Sequence, residues 1–163
     1  MLRALNTWLY EEDPLALIAF EAPLEVIKSR QASNRTFFED MIDRYLDKGD
    51  MFALFDDDLK SICVVTREDD HTYELKNIAT YEQYQGKGYG RRLVEHLFDY
   101  YKGTCHVMYV GTGDSPNSLT FYGKCGFKAS HVVKNFFTDH YDHPMYDCGE
   151  QLIDMIYLKK EFD

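Results

Sequence analysis

Residues 84–92 read Tyr84-Gln85-Gly86-Lys87-Gly88-Tyr89-Gly90-Arg91-Arg92, and no other stretch constrains the fold as tightly. Before it, residues 73–80 are mostly strand-forming. After it, Tyr89, Leu93, Val94, Leu97, Phe98 and Tyr101 recur on one helical face. The glycines therefore open a helix. The N–H groups at a helix start have no intrahelical partner and carry about half a positive charge, so an anion lodged there is hydrogen-bonded and favoured electrostatically. Gly86, Gly88 and Gly90 can take positive φ, which a loop needs if successive N–H groups are to turn toward one point. A glycine cluster alone is an ordinary turn. Joined to a strand, a helix and the cations Lys87, Arg91 and Arg92, in a chain whose net charge is −10, it reads as a pyrophosphate cradle.

Spacing separates the chemistries that use such a loop. A nucleotide P-loop needs Lys followed by Ser or Thr after its last glycine, whereas Gly90 is followed by Arg91 and Arg92. A dinucleotide loop needs Gly-x-Gly-x-x-Gly, and the spacing here is Gly-x-Gly-x-Gly. The remaining pattern, Gln-x-x-Gly-x-Gly from Gln85 to Gly90, resembles the acyl-CoA pyrophosphate loop of the GNAT N-acetyltransferase superfamily. A second segment, residues 117–127 with sequence NSLTFYGKCGF, resembles the helix and following turn of the same family, with Asn117, Tyr122 and Cys125-Gly126-Phe127 at family-like positions. The resemblance extends from about residue 52 to the C-terminus.

It implies an α/β fold with a GNAT-like mixed, largely antiparallel sheet flanked by helices. The implied reaction moves an acetyl group from acetyl-CoA to a primary amine by direct attack, with acetyl-CoA as co-substrate and no metal. The co-substrate would be held by Gln85, Gly86, Lys87, Gly88, Tyr89, Gly90 and Arg91. Asn117 and the backbone of Ile78, Ala79 and Thr80 would hold it as well. Tyr122 matches the family's tyrosine acid, and at an ordinary pKa of about 10 it stays a proton donor at neutral pH. Glu74, eleven residues before Gln85, matches the strand carboxylate of the lysine-acetylating branch and is the candidate general base.

Each of these residues has a plainer reading beside the chemical one. Glu74 can be a solvated carboxylate paired with Lys76 on the same strand face, Tyr122 a core aromatic beside Phe121, and Asn117 an ordinary polar residue at a helix start. Glu82 is a second, more superficial carboxylate. His140, His143 and Cys148 fit no standard zinc spacing. Cys125 reads as structural. The alternative function is a non-catalytic acyl-CoA-binding regulatory protein that keeps the cradle without turnover.

The chain of 163 residues is long enough for one domain, residues 1–163, burying about two-thirds of its unfolded surface. Its four cysteines have no CxxC spacing and read as reduced thiols. With no apolar run of about 18 residues and no signal core, the expected location is cytoplasmic and off the membrane. The acidic balance argues against nucleic acid and suits a cationic acceptor, whether a small-molecule amine or a lysine side chain. An exposed strand near the C-terminus leaves room for a homodimer.

Along the chain, patterning predicts a strand at 2–5 and helical material at 15–29 and 35–46. A hairpin of 51–55 and 61–66 follows across Asp56-Asp57-Asp58, then a strand at 73–80. Beyond the glycine loop come a helix to 102, a strand at 105–110, and a helix at 115–124 with Ser115-Pro116 at its start. Strands at 128–137 and 152–158 complete the sheet. Residues 140–150, an irregular loop, and the N-terminal helical region are the expected acceptor walls.

Overall fold

The computed structural model describes residues 17–19 and 49–163. The expected strand at 2–5, the helix at 35–46 and most of the helical stretch at 15–29 lie outside the described residues. Within that last stretch, Leu17–Ala19 is strand β1 rather than helix, pairing antiparallel with Leu54, Ala53 and Phe52. A neighbouring strand edge supplies backbone partners there, and such pairing overrides a short apolar pattern. The chain gathers into two compact units, Met1–Arg67 with Leu75–Tyr100, and Glu68–Glu74 with Tyr101–Asp163.

In the first unit, β2 (Gly49–Asp56) and β3 (Asp58–Arg67) form the expected hairpin, and β4 (Thr72–Thr80), which belongs to this unit from Leu75 on, follows in the order β1-β2-β3-β4. Burial of β3 runs unbroken from Leu59 to Thr66, the pattern of a strand covered on both faces rather than one. The hairpin register slips between Leu54 and Phe55, because Leu54 opposes Ser61 while Phe55 opposes Leu59, and Lys60 is left over as the extra residue of a bulge. A 3-10 turn (Glu82–Tyr84) leads into the glycine loop and then helix α1 (Tyr89–Tyr101). Leu93, Val94 and Leu97 on α1 are fully buried, and Phe52 of β2 meets the rings of His96 and Tyr100 edge-on at 6.0 and 5.0 Å.

The second unit holds β5 (Val107–Gly113), α2 (Pro116–Cys125), β6 (Lys128–Val133), α3 (Phe136–His140), a small hairpin of β7 (Tyr146–Asp147) and β8 (Glu150–Gln151), and β9 (Met155–Glu161). Its main strands run antiparallel in the order β5-β9-β6.

Several boundaries differ from the sequence pattern, among them that of β9, which spans 155–161 rather than 152–158. Strand β5 starts at 107 rather than 105, because Cys105 N–H still donates to the Tyr101 carbonyl of the preceding helix at 2.9 Å. It also runs on to Gly113, since its two glycines leave space that bulky neighbours fill: a Cβ on Gly111 would stand 2.9 Å from the Met155 sulfur, and one on Gly113 2.6 Å from Leu152. The strand expected at 128–137 stops at 133. Asn135 turns left-handed there at φ 59°, its N–H donates to Asp154 at 2.9 Å, and α3 begins.

Candidate active site

The glycine loop is anchored in helix α1. Arg92 N–H donates to the Gly88 carbonyl at 3.0 Å, which makes Gly88 the first acceptor of the helix and leaves the N–H groups of Tyr89, Gly90 and Arg91 without intrahelical partners. The first turn carries no acidic side chain. Gly86 and Gly88 adopt φ of 73° and 90°, a region that side chains disfavour, and a Cβ on either would meet nothing within 4 Å. The space in front of both glycines is open, as close approach of a pyrophosphate to the backbone requires. Gly90 differs from its expected freedom: it is the second residue of α1 and is absent from the positive-φ glycines, because the helical ladder has already begun.

Strand β4 delivers Ile78, Ala79 and Thr80 to the loop and is tied at its end by the buried Ser61 of β3. Ser61 Oγ donates to the Ala79 carbonyl at 3.0 Å and lies 2.9 Å from Thr80 Oγ1. Its single proton is then spent, so Thr80 is the donor of that second bond. Gln85, expected among the co-substrate contacts, sends its side-chain amide back to the Thr80 carbonyl at 3.1 Å and so closes the loop on its own strand. Arg91 pairs with Glu95 one turn along α1 at 2.8 Å, with both side chains more than half exposed. Lys87 is exposed, its ammonium 5.5 Å from the Tyr84 ring centre.

Asp56, Asp58, Lys60 and Tyr84, which sequence reasoning did not assign to the site, bracket this loop together with Tyr89. Tyr84 donates from its hydroxyl to Asp58 Oδ2 at 2.8 Å, Tyr89 to Asp56 Oδ2 at 2.6 Å, and Lys60 donates to Asp58 Oδ1. The Lys60 hydrogen bond, followed by that of Tyr84, holds the Asp58 carboxyl below its usual range. The same carboxylate pushes Lys60 up, and the Asp56 carboxylate pushes the Tyr89 phenol up. In the sequence Lys60 lies between the acidic turn and the expected strand at 61–66, so nothing there marked it for the site.

In the second unit, Tyr122 of α2 is buried, packed edge-on against Phe121 and Phe127 with ring centres 5.1 and 5.8 Å away. Its carbonyl accepts Phe127 N–H at 3.1 Å across the left-handed Gly126, which ends the helix and fixes the Cys125-Gly126-Phe127 turn. At the other end of α2, Ser115 occupies the cap position as expected. Its hydroxyl makes no cap bond, however, and has no hydrogen-bond partner among the described residues although Ser115 is 2% exposed. Asn117 is exposed and donates to Cys148 Sγ at 3.2 Å. Glu74 lies on β4, half-buried, and Glu82 is exposed on the 3-10 turn.

Cys63, Cys105 and Cys125 are buried, and burial pushes Cys63 far up and Cys105 to about 11, so both are inert thiols. Among the described residues, no group of three or more His, Cys, Asp or Glu is gathered for a metal ion, and no helix is long and apolar enough to cross a membrane. Residues 137–152 of the second unit border an open cavity of about 220 Å³ lined by Phe137, Tyr141, Asp142, His143, Met145 and Leu152. The stretch read as irregular at 140–150 thus contains the β7–β8 hairpin as well.

A strand that ends in an open glycine loop at a helix start is an arrangement suited to an anionic group such as a pyrophosphate. Known proteins sharpen that reading. Residues 7–127 match the Acetyltransferase (GNAT) family, and the chain belongs to it. It is 33% identical over 123 residues to the uncharacterized N-acetyltransferase YvbK of Bacillus subtilis (strain 168), a match covering 74% of this chain and 79% of that protein. Among solved structures, a GNAT family acetyltransferase from Elizabethkingia anophelis with acetyl-CoA bound superposes with a TM-score of 0.77 at 28% identity, covering 93% of this chain and 100% of that one. The Bacillus subtilis acetyltransferase in complex with CoA gives 0.77 and 28%, covering 91% and 99%. Their mixed, largely antiparallel sheet flanked by helices is the fold expected from the sequence. The protein is an acyltransferase that uses acetyl-CoA as co-substrate.

Proposed function

We propose that the acetyl group goes to a primary amine by direct attack, with Glu74 taking the amine's proton and Tyr122 giving one to the leaving thiolate. The observation that carries this reading is the open backbone of Gly86 and Gly88 leading into α1, whose first N–H groups have no intrahelical partner. Bound acetyl-CoA supplies an acetyl group already activated as a thioester. The chain's own residues supply position and protons. Gly86, Lys87, Gly88, Tyr89, Gly90 and Arg91 receive the pyrophosphate, and Ile78, Ala79, Thr80 and Asn117 receive the rest of the co-substrate arm.

An aliphatic amine is mostly protonated at neutral pH, with a pKa of about 10, so attack needs a proton acceptor within reach of the amine. Glu74, half-buried on β4, is the carboxylate best matched to that role. Tyr122, packed edge-on against Phe121 and Phe127, carries a phenolic O–H that can donate to a thiolate. The net charge of −10 favours a cationic acceptor. The cavity beside Phe137 and Tyr141 supports an acceptor wall in residues 137–152. Residues 1–163 act as one transferase domain in this reading, and buried thiols at Cys63, Cys105 and Cys125 suit the reducing cytoplasm.

Calorimetric titration with acetyl-CoA, with ATP and NAD as controls, tests the first half of the reading. Release of free CoA thiol across a polyamine, an aminoglycoside and a lysine peptide tests the second. Selective acetyl-CoA binding and amine-dependent thiol release that slows in Tyr122→Phe are expected. A folded protein that does not bind acetyl-CoA, or thiol release indifferent to every amine, would overturn the proposal.

A further inference from the structure

We infer that the acidic turn Asp56-Asp57-Asp58 and the bulged Lys60 are positioning residues for the glycine loop, holding its two ends in the shape that receives the pyrophosphate. The inference rests on the acetyl-CoA reading above and adds to it a set of residues that contact no substrate.

Carboxylates beside a phosphate cradle are electrostatically the wrong choice unless their charge is used locally, and the charges of Asp56 and Asp58 are. Asp57 takes the left-handed turn conformation at φ 62°, so Asp56 and Asp58 face each other across the hairpin end. Asp56 accepts the Tyr89 hydroxyl, and Asp58 accepts both the Tyr84 hydroxyl and the Lys60 ammonium. Tyr84 and Tyr89 are the residues immediately flanking the loop 85–88. One turn of one hairpin therefore grips both ends of the loop.

Lys60 joins the parts. As the extra residue of the bulge it has no opposite partner in β2, and a bulge is the device by which a strand re-aims a side chain. It is 7% exposed, and its ammonium lies 3.7 Å from the centre of the Tyr84 ring, while its carbonyl accepts Tyr81 N–H at 3.1 Å. Backbone, charge and aromatic contact from one residue thus converge on residues 81–84, where the chain enters the loop. A bond between ionised and neutral groups is stronger than one between neutral groups, and two such bonds fix the tyrosines. The loop itself, with two glycines at positive φ, has few restraints of its own, so the order needed for binding is supplied from outside.

The test compares wild type, Tyr84→Phe and Lys60→Met by calorimetry with acetyl-CoA, and by the KM for acetyl-CoA against that for S-acetyl-pantetheine, which lacks the pyrophosphate. Tyr84→Phe keeps the ring under Lys60 and loses only the anchor to Asp58. Acetyl-CoA Kd should rise about five- to tenfold, with kcat at saturation within about twofold. Lys60→Met should weaken binding by about tenfold or more, and the penalty should shrink at high salt, because the exposed Asp58 charge is then screened. The KM for S-acetyl-pantetheine should stay unchanged in both variants. Equal losses for the two thioesters would overturn the inference by making the network a general support of the fold. Unchanged acetyl-CoA Kd in both variants would overturn it as well, leaving the acetyltransferase reading intact. Failure of wild type itself to bind acetyl-CoA would instead sink the reading on which the inference depends.

Discussion

The loop at 85–88 and the segment at 134–154 each join regular elements, yet they are built in opposite ways. The loop is glycine backbone, closed on its own strand by Gln85 and gripped from outside through Tyr84 and Tyr89. The segment is held by bonds along its length, among them Phe137 N–H to the Ile153 carbonyl at 2.9 Å and Leu152 N–H to that of Met145 at 2.8 Å, and it borders an open cavity with side chains such as Phe137, Tyr141 and Leu152. A backbone cradle presents N–H groups and binds one kind of anion, so its chemistry is fixed by geometry. A wall of side chains takes its chemistry from whichever residues line it. The first is suited to a constant co-substrate, the second to a particular acceptor.

That contrast breaks down if substitutions in the two regions change the same kinetic quantity. The largest effect is expected at the residue assigned to the chemistry. Tyr122→Phe should lower kcat by about a hundredfold or more while acetyl-CoA Kd measured by calorimetry stays within about twofold. In the cradle, Gly88→Val places a branched side chain at φ 90° and in the open space before the helix, so acetyl-CoA Kd should rise about ten- to a hundredfold. Steady-state rates at saturating acetyl-CoA should then recover most of the loss.

Tyr141→Ala removes an aromatic from the cavity of the second region. The KM for the best amine should rise about fivefold with the acetyl-CoA KM unchanged, as a binding residue outside the cradle would give. A shift in both constants would erase the distinction between the regions. The smallest effect concerns the support of the cradle helix. Burial holds the His96 imidazole below its ordinary value, so the unfolded chain takes up a proton more readily than the folded one. Stability from this source is full above about pH 6.5 and is lost as pH falls through it. Melting temperatures from pH 8 to pH 5 should show the decline, and His96→Phe should flatten it.

Much of the first region was legible because its signal is local. The glycine spacing, the strand before it and the helical face after it identified the cradle, and the hairpin across Asp56-Asp57-Asp58 stands where the pattern put it. The Cys125-Gly126-Phe127 turn was readable for the same reason, since a left-handed helix end demands glycine. Where the reading went astray, partners distant in sequence decided the outcome. Leu17–Ala19 became a strand because β2 offered it an edge, and residues 134–137 left the sheet because Asp154 captured the Asn135 N–H.

Lys60 marks the limit most clearly. It follows the acidic turn by two residues, and nothing in the order of residues told that a bulge would turn it toward Tyr84, or that Asp58 would divide its two oxygens between them. By itself the sequence determined the glycine cradle, the helix that follows and the family to which the chain belongs, because these depend on backbone conformations that few residue types can adopt. Only the tertiary structure decided what grips the cradle and where the cavity lies, because side-chain contacts across strands depend on register, and a slip of one residue redirects every group beyond it.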